Sequence, residues 1–144
     1  MRLEAATCSR LFAASRVARL ATSGPSGPHI VPIVFTLDSG RLITVVDAKP
    51  KTTRRLQRLA NIADDPRVAV LADHFADDWS QLWWVRADGN AVISDDVEQL
   101  EPAVTLLGAK YPQYREQAPP GPLITVTIER WVGWAATSEA VDRL

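Results

Sequence analysis

One cysteine, Cys8, is all the thiol chemistry this sequence holds. An internal disulfide is excluded, and no Cys/His spacing of a zinc site is present. Histidine is nearly as scarce. His29 and His74 are the only two, too few for a histidine-based metal site without carboxylates. No apolar run approaches the ~18 residues of a membrane span. The first fifteen residues include Glu4 and a broken apolar pattern, which makes a poor signal peptide, so the expected location is the cytoplasm. Net charge is scarce too: 16 basic residues against 17 acidic ones leave −1. A general nucleic-acid binder normally carries a strong basic excess, so that class is disfavoured. Glycine-rich phosphate loops of the Walker or Rossmann type are missing, as are repeats and low-complexity tracts. No catalytic triad can be read. His29 has no obvious partner and reads first as a structural strand histidine, and no carboxylate pair stands out for acid–base hydrolysis.

What is present is one domain's worth of chain with an ordinary composition. The 144 residues, 47% hydrophobic and 23% charged, suit a single core and a globular fold. The basic charge is local. Arg41, Lys49, Lys51, Arg54, Arg55 and Arg58 fall in one short stretch with a single acid, Asp47. A local patch on a near-neutral protein suits a small phosphorylated or carboxylated ligand better than a polymer. Leu42–Val46 is a β-branched run with the residue types of a buried strand. Pro50 biases Lys49 away from helical angles, so a helix is expected from Lys51 or Thr52. Lys49, Lys51 and Thr52 then stand at a helix N-terminus, where free N–H groups and the dipole favour an anion. This is a plausible phosphate grip. The helix is expected to bury Leu56, Leu59, Ala60 and Ala63. Arg54 and Arg58 lie opposite and read as a solvated face. Asp64-Asp65-Pro66 ends it, and a strand begins at Arg67.

The rest of the chain alternates strands and turns. Leu3–Ala14 reads as an amphipathic helix and Arg16–Thr22 as a strand. Gly24–Pro28 is a turn by composition, and His29–Leu37 is a single strand. Pro32 inside that strand points to an edge, a bulge, or an N–H side facing a ligand. Asp38-Ser39-Gly40 is a hairpin turn. Gln81–Ile93 is a long strand with Trp83 and Trp84 on opposite faces, one for the core and one for a surface, pocket or partner. Asp95 with Glu98 resembles a capping pair that opens a helix, which Pro102 either kinks or divides. Tyr111–Pro122 reads as loop, and Leu123–Trp134 as the final strand. About six strands and three helices, joined mostly by hairpins, predict a mainly β (α+β) fold in one domain. Its expected form is a six-stranded antiparallel barrel with helices outside.

The run VVDAKPKTTRRLQRLANIADDPRVAVLAD, with DDWSQLWWVRADGNAVI after it, resembles the pyridoxamine-phosphate-oxidase-like superfamily. It is most similar to the branch of small actinobacterial proteins that bind the deazaflavin coenzyme F420. The resemblance covers Ser15 to Ile93 and, more loosely, Leu123 to Ala136. It implies a split β-barrel that forms a homodimer with the cofactor between subunits. It further implies that Thr44, His29, Val31 and Pro32 line the cofactor ring and that Trp79 contacts ring or tail. Pyridoxamine-phosphate oxidases proper carry a further substrate motif near the C-terminus. This sequence ends at Val141-Asp142-Arg143-Leu144 without it, so the resemblance implies F420 more than FMN, and reduction of an unsaturated small molecule more than vitamin B6 oxidation. The alternatives are an FMN-dependent enzyme of the same superfamily and a non-catalytic barrel that carries a flavin, deazaflavin or haem.

Overall fold

Seven antiparallel strands make one sheet, in the order β2-β1-β5-β6-β7-β4-β3. The computed structural model describes residues 1–47 and 56–142. The chain opens with α1 (Ala5–Ala14), then β1 (Ala18–Gly24), β2 (Gly27–Ile33), β3 (Thr36–Asp38) and β4 (Arg41–Val45). It goes on through α2 (Gln57–Asp64), β5 (Arg67–His74) and β6 (Trp83–Ser94). After α3 (Val97–Lys110) and the short α4 (Gln113–Glu116) come β7 (Leu123–Ala135) and α5 (Glu139–Asp142). No helix among the described residues is long and apolar enough to cross a membrane.

Both hairpin turns follow from their residues. β1 and β2 are joined through Pro25-Ser26, with Gly24 opposite Gly27. At the β3–β4 turn Ser39 and Gly40 both have positive φ, 51° and 79°. That is the two-residue turn whose twist matches paired strands.

Six strands were expected and seven are found, because His29–Leu37 is not one strand. β2 pairs with β1 at one edge of the sheet, and β3 pairs with β4 at the other. Only Val34 and Phe35 separate them. Three residue steps span at most ~10 Å of extended chain. The two edges must therefore come close, and the sheet curls strongly, although among the described strands no ladder closes it. The crossing is held by side chains from elsewhere. Thr44 Oγ1 donates to the Val34 carbonyl at 2.8 Å. The Tyr111 hydroxyl accepts from Phe35 N–H at 3.2 Å, and the carbonyls of Phe35 and Arg16 lie 3.0 Å from it. Pro32 lies on β2, the edge strand, where a missing N–H costs least.

The core lies inside the curl. Leu11 and Phe12 of α1, Leu20, Phe35, Leu42, Val70, Val85, Ile124 and Val126 are fully buried there. The buried stripe of α1 is Cys8, Leu11 and Phe12, whereas Ala13 and Ala14 face solvent. Trp83 is buried in this core and Trp84 is on the other face, as the alternation of a regular strand requires. A smaller cluster, Ile43, Val45, Ala103, Leu107, Tyr111 and Leu123, seats α3 against β4 and β7. Glu129 is the extra residue of a bulge, since Asp88 pairs with Arg130 and Gly89 with Ile128. A Cβ on Gly89 would lie 2.2 Å from the Thr127 carbonyl, so only glycine lets the two backbones meet there.

Candidate cofactor site

The ladder register aligns residues of five strands on the outer face of the sheet. One row runs Pro32, Arg19, Leu71, Arg86, Val132. A second runs Ile30, Ala21, Ala69, Asp88, Arg130, and a third runs Asp73, Trp84, Trp134. Ile30 is 63% exposed and Trp134 39%, high values for large apolar side chains. Between the rows is an open cavity of about 550 Å³, with Ile30, Leu71, Phe75 and Trp84 as apolar lining and Arg19 and Arg86 at its sides. The arginines are positioned by carboxylates on the same face. Arg19 meets Asp73 at 3.2 Å. Arg86 holds Asp88 through two bonds, 2.7 and 3.1 Å, and Arg130 reaches the same carboxylate at 3.3 Å. Three guanidiniums share two carboxylates, which leaves the face mildly positive. A flat apolar floor with cations at its edges suits a planar ring that carries polar substituents.

Of the residues expected around a ring, Pro32 belongs to this face. His29 and Val31 alternate to the opposite side of β2, and Val31 packs on the core. Thr44 is buried, with its hydroxyl committed to the crossing at Val34. The Val34 bond brings Thr44 next to the end of β2. Trp79, 75% exposed, lies in a single 3₁₀ turn (Trp79–Gln81) between β5 and β6. Lys49, Lys51 and Thr52, the expected phosphate grip, lie outside the described residues, as do Arg54 and Arg55.

The described part of α2 corrects the expected buried face. Asn61 and Ile62 are buried, Arg58 and Leu59 are half-buried, and Ala63 is exposed. Asn61 is a polar residue turned inward, which the search for an apolar stripe overlooked. It is satisfied there: Nδ2 donates to Thr22 Oγ1 at 3.0 Å, and Oδ1 accepts from Gln57 Nε2 at 2.7 Å. Gly24 makes the room, because a Cβ there would lie 2.1 Å from Asn61 Oδ1. Arg58, on the same inward side, is not solvated as expected, and burial pushes its pKa down. His29, opposite Thr22 on β2, has a buried Nδ1 without a hydrogen-bond partner among the described residues. The strands below α2 thus present a polar cluster where the sequence pattern suggested an apolar one. Among the described residues no group of three or more His, Cys, Asp or Glu could hold a metal ion.

Comparison with known proteins bears on this geometry. A family model described as Pyridoxamine 5'-phosphate oxidase matches residues 5–135. Among proteins of curated function, none matches the sequence. Solved structures share the fold. A conserved hypothetical protein of Mycobacterium tuberculosis is 22% identical with a TM-score of 0.77, over 99% of this chain and 91% of that one. A FAD-binding protein of Mesorhizobium loti is 20% identical with a TM-score of 0.71, over 92% of this chain and 95% of that one. The FAD-binding protein of Mycobacterium smegmatis is 18% identical with a TM-score of 0.62, over 93% and 96%.

Proposed function

The chain belongs to the pyridoxamine 5'-phosphate oxidase family, and from that premise we propose that it is an oxidoreductase built around a flavin-type ring cofactor, coenzyme F420 in the first place. The bound cofactor would supply a hydride for the reduction of an unsaturated small molecule. The observation that carries this reading is the outer sheet face beside β2, where an apolar floor of Ile30, Leu71 and Trp84 is edged by Arg19 and Arg86. Its volume, about 550 Å³, is in the range of small-molecule and cofactor pockets. The chain's own part is to bind and orient. Lys49, Lys51 and Thr52 are assigned to the cofactor phosphate on sequence grounds, and the sheet face to the ring. A second copy of the chain over the same face would exclude water from the ring, which makes the functional unit a homodimer.

One observation favours a second reading. Two of the similar structures are FAD-binding proteins, which supports FMN or FAD in place of the deazaflavin. Fluorescence titration with F420, FMN and FAD side by side separates the two. Tighter binding of F420 is expected. Purification with stoichiometric FMN or FAD would overturn the deazaflavin assignment, and no binding of any of the three would overturn the cofactor site.

A further inference from the structure

A second cleft, about 330 Å³, opens at the corner where α1 hands over to β1. It goes beyond the cofactor reading and does not depend on it. Leu11 and the buried Trp83 give it an apolar floor. His74 is the cross-strand partner of Trp83, with the two rings 23° from parallel and their centroids 6.3 Å apart. Together they form a flat aromatic wall. Gln81, just before Trp83, adds a side-chain amide to the lining. The Arg19–Asp73 pair closes one side, and both residues also line the outer-face cavity.

The charge balance of this cleft decides what it can recognise. Arg16 also lines it, but its guanidinium is engaged elsewhere. Nη2 donates to the Lys110 carbonyl at 2.9 Å, and Cζ lies 4.8 Å above the Tyr111 ring. The Arg19 charge is offset by Asp73 at 3.2 Å. The polar groups left are therefore a neutral amide, an imidazole, and an ion pair that offers a donor beside an acceptor. An anion would meet Asp73, and a cation would meet Arg19. The geometry points to a binding site for an uncharged planar heterocycle that carries a hydrogen-bond donor and acceptor on one edge, of the lactam or aromatic carboxamide kind. The flat face would lie on Trp83 and His74, and the polar edge would meet Gln81 and the ion pair.

Nicotinamide is a suitable probe, since it is flat, uncharged and carries an amide. A ligand of about nine heavy atoms is expected to bind in the millimolar range. The measurement is the rise in melting temperature across a nicotinamide titration of the whole chain, with and without F420 added. A saturable rise is expected, weakened about tenfold in Gln81→Leu. Nicotinate, which adds a carboxylate near Asp73, should bind more weakly, and the non-planar cyclohexanecarboxamide should not bind. His74→Ala, at an exposed position, repeats the test should Gln81→Leu alter folding. No saturable rise, or equal binding by the wild type and both variants, would overturn the site. Competition by F420 would also overturn it as a separate site and would assign the cleft to the cofactor. Failure of F420 to bind leaves the nicotinamide result intact, so the two readings fail independently.

Discussion

Lys110 carries its charge in a place that disfavours it. Its Nζ lies 3.9 Å from the centre of the Phe35 ring and donates to the Ala13 carbonyl at 3.1 Å. Burial pushes its pKa down to about 8, and the Arg16 charge adds to the shift. The unfolded value is 10.5, so the unfolded chain binds more protons between the two values. Stability should then rise with pH across that window, while below pH 8 the full penalty remains. Urea unfolding of wild type and Lys110→Met at a series of pH values checks this. The difference between the two should change in favour of wild type between pH 8 and 10, and a constant difference would contradict the shift. A binding argument concerns Lys49 and Lys51. If each makes a charge-assisted bond to a cofactor phosphate, its replacement by alanine should cost about 1.5–3 kcal/mol of binding. That is roughly one to two decades in dissociation constant. Arg58→Ala should cost less, because the half-buried Arg58 is turned toward the strands below α2. Titration of the three variants with F420 at one salt concentration decides the point, and equal small losses would sink the grip.

Among the elements, α3 shows how a local signal can be one residue out. The spacing of Asp95 and Glu98 suggested the cap, but Asp96 is the N-cap, and its carboxylate accepts from Glu98 N–H at 3.0 Å. Ser94 Oγ in turn accepts from Asp96 N–H at 3.1 Å. Asp96→Ala should therefore cost about 1 kcal/mol in urea unfolding, while Asp95→Ala should change little. Pro102 neither ends nor divides α3, which runs from Val97 to Lys110 through it. Tyr111, directly after α3, secures the β2–β3 crossing. Tyr111→Phe keeps the ring but leaves the buried Phe35 N–H without its acceptor. The expected loss is about 1–3 kcal/mol. An unchanged urea midpoint would mean that the crossing is held by Thr44 and packing alone.

At the scale of the whole molecule, the sheet has one face filled by its own core and one that is not. Ile30, Trp84 and Trp134 lie on the unfilled face. A closed two-fold pair is the commonest way for a chain to cover such a surface. Sedimentation at micromolar concentration should give the mass of two chains. Ile30→Asp, at an exposed edge position, should give a folded monomer, as judged by an unchanged far-ultraviolet dichroism spectrum. A monomeric wild type would remove the dimer and with it the shared cofactor site.

Hydrophobic alternation, β-branched runs and turn residues determined where most of the strands lie. These signals are local, set by the pleat and by the φ angles that Ser39-Gly40 and Gly24–Gly27 permit. The family was legible for a related reason, since the basic turn and the Trp79–Gly89 run are contiguous. Three things depended on residues distant in the chain. The break of His29–Leu37 into two strands exists because β1 and β4 claim its halves at opposite edges. The inward turn of Asn61 depends on the Thr22 hydroxyl and on the space left by Gly24, 37 residues earlier (61 − 24). The outer face is assembled by ladder register from five strands, so no window of sequence contains it. A side chain's own chemistry sets its strand or turn preference, but its burial and partners are set by what the closed fold brings against it.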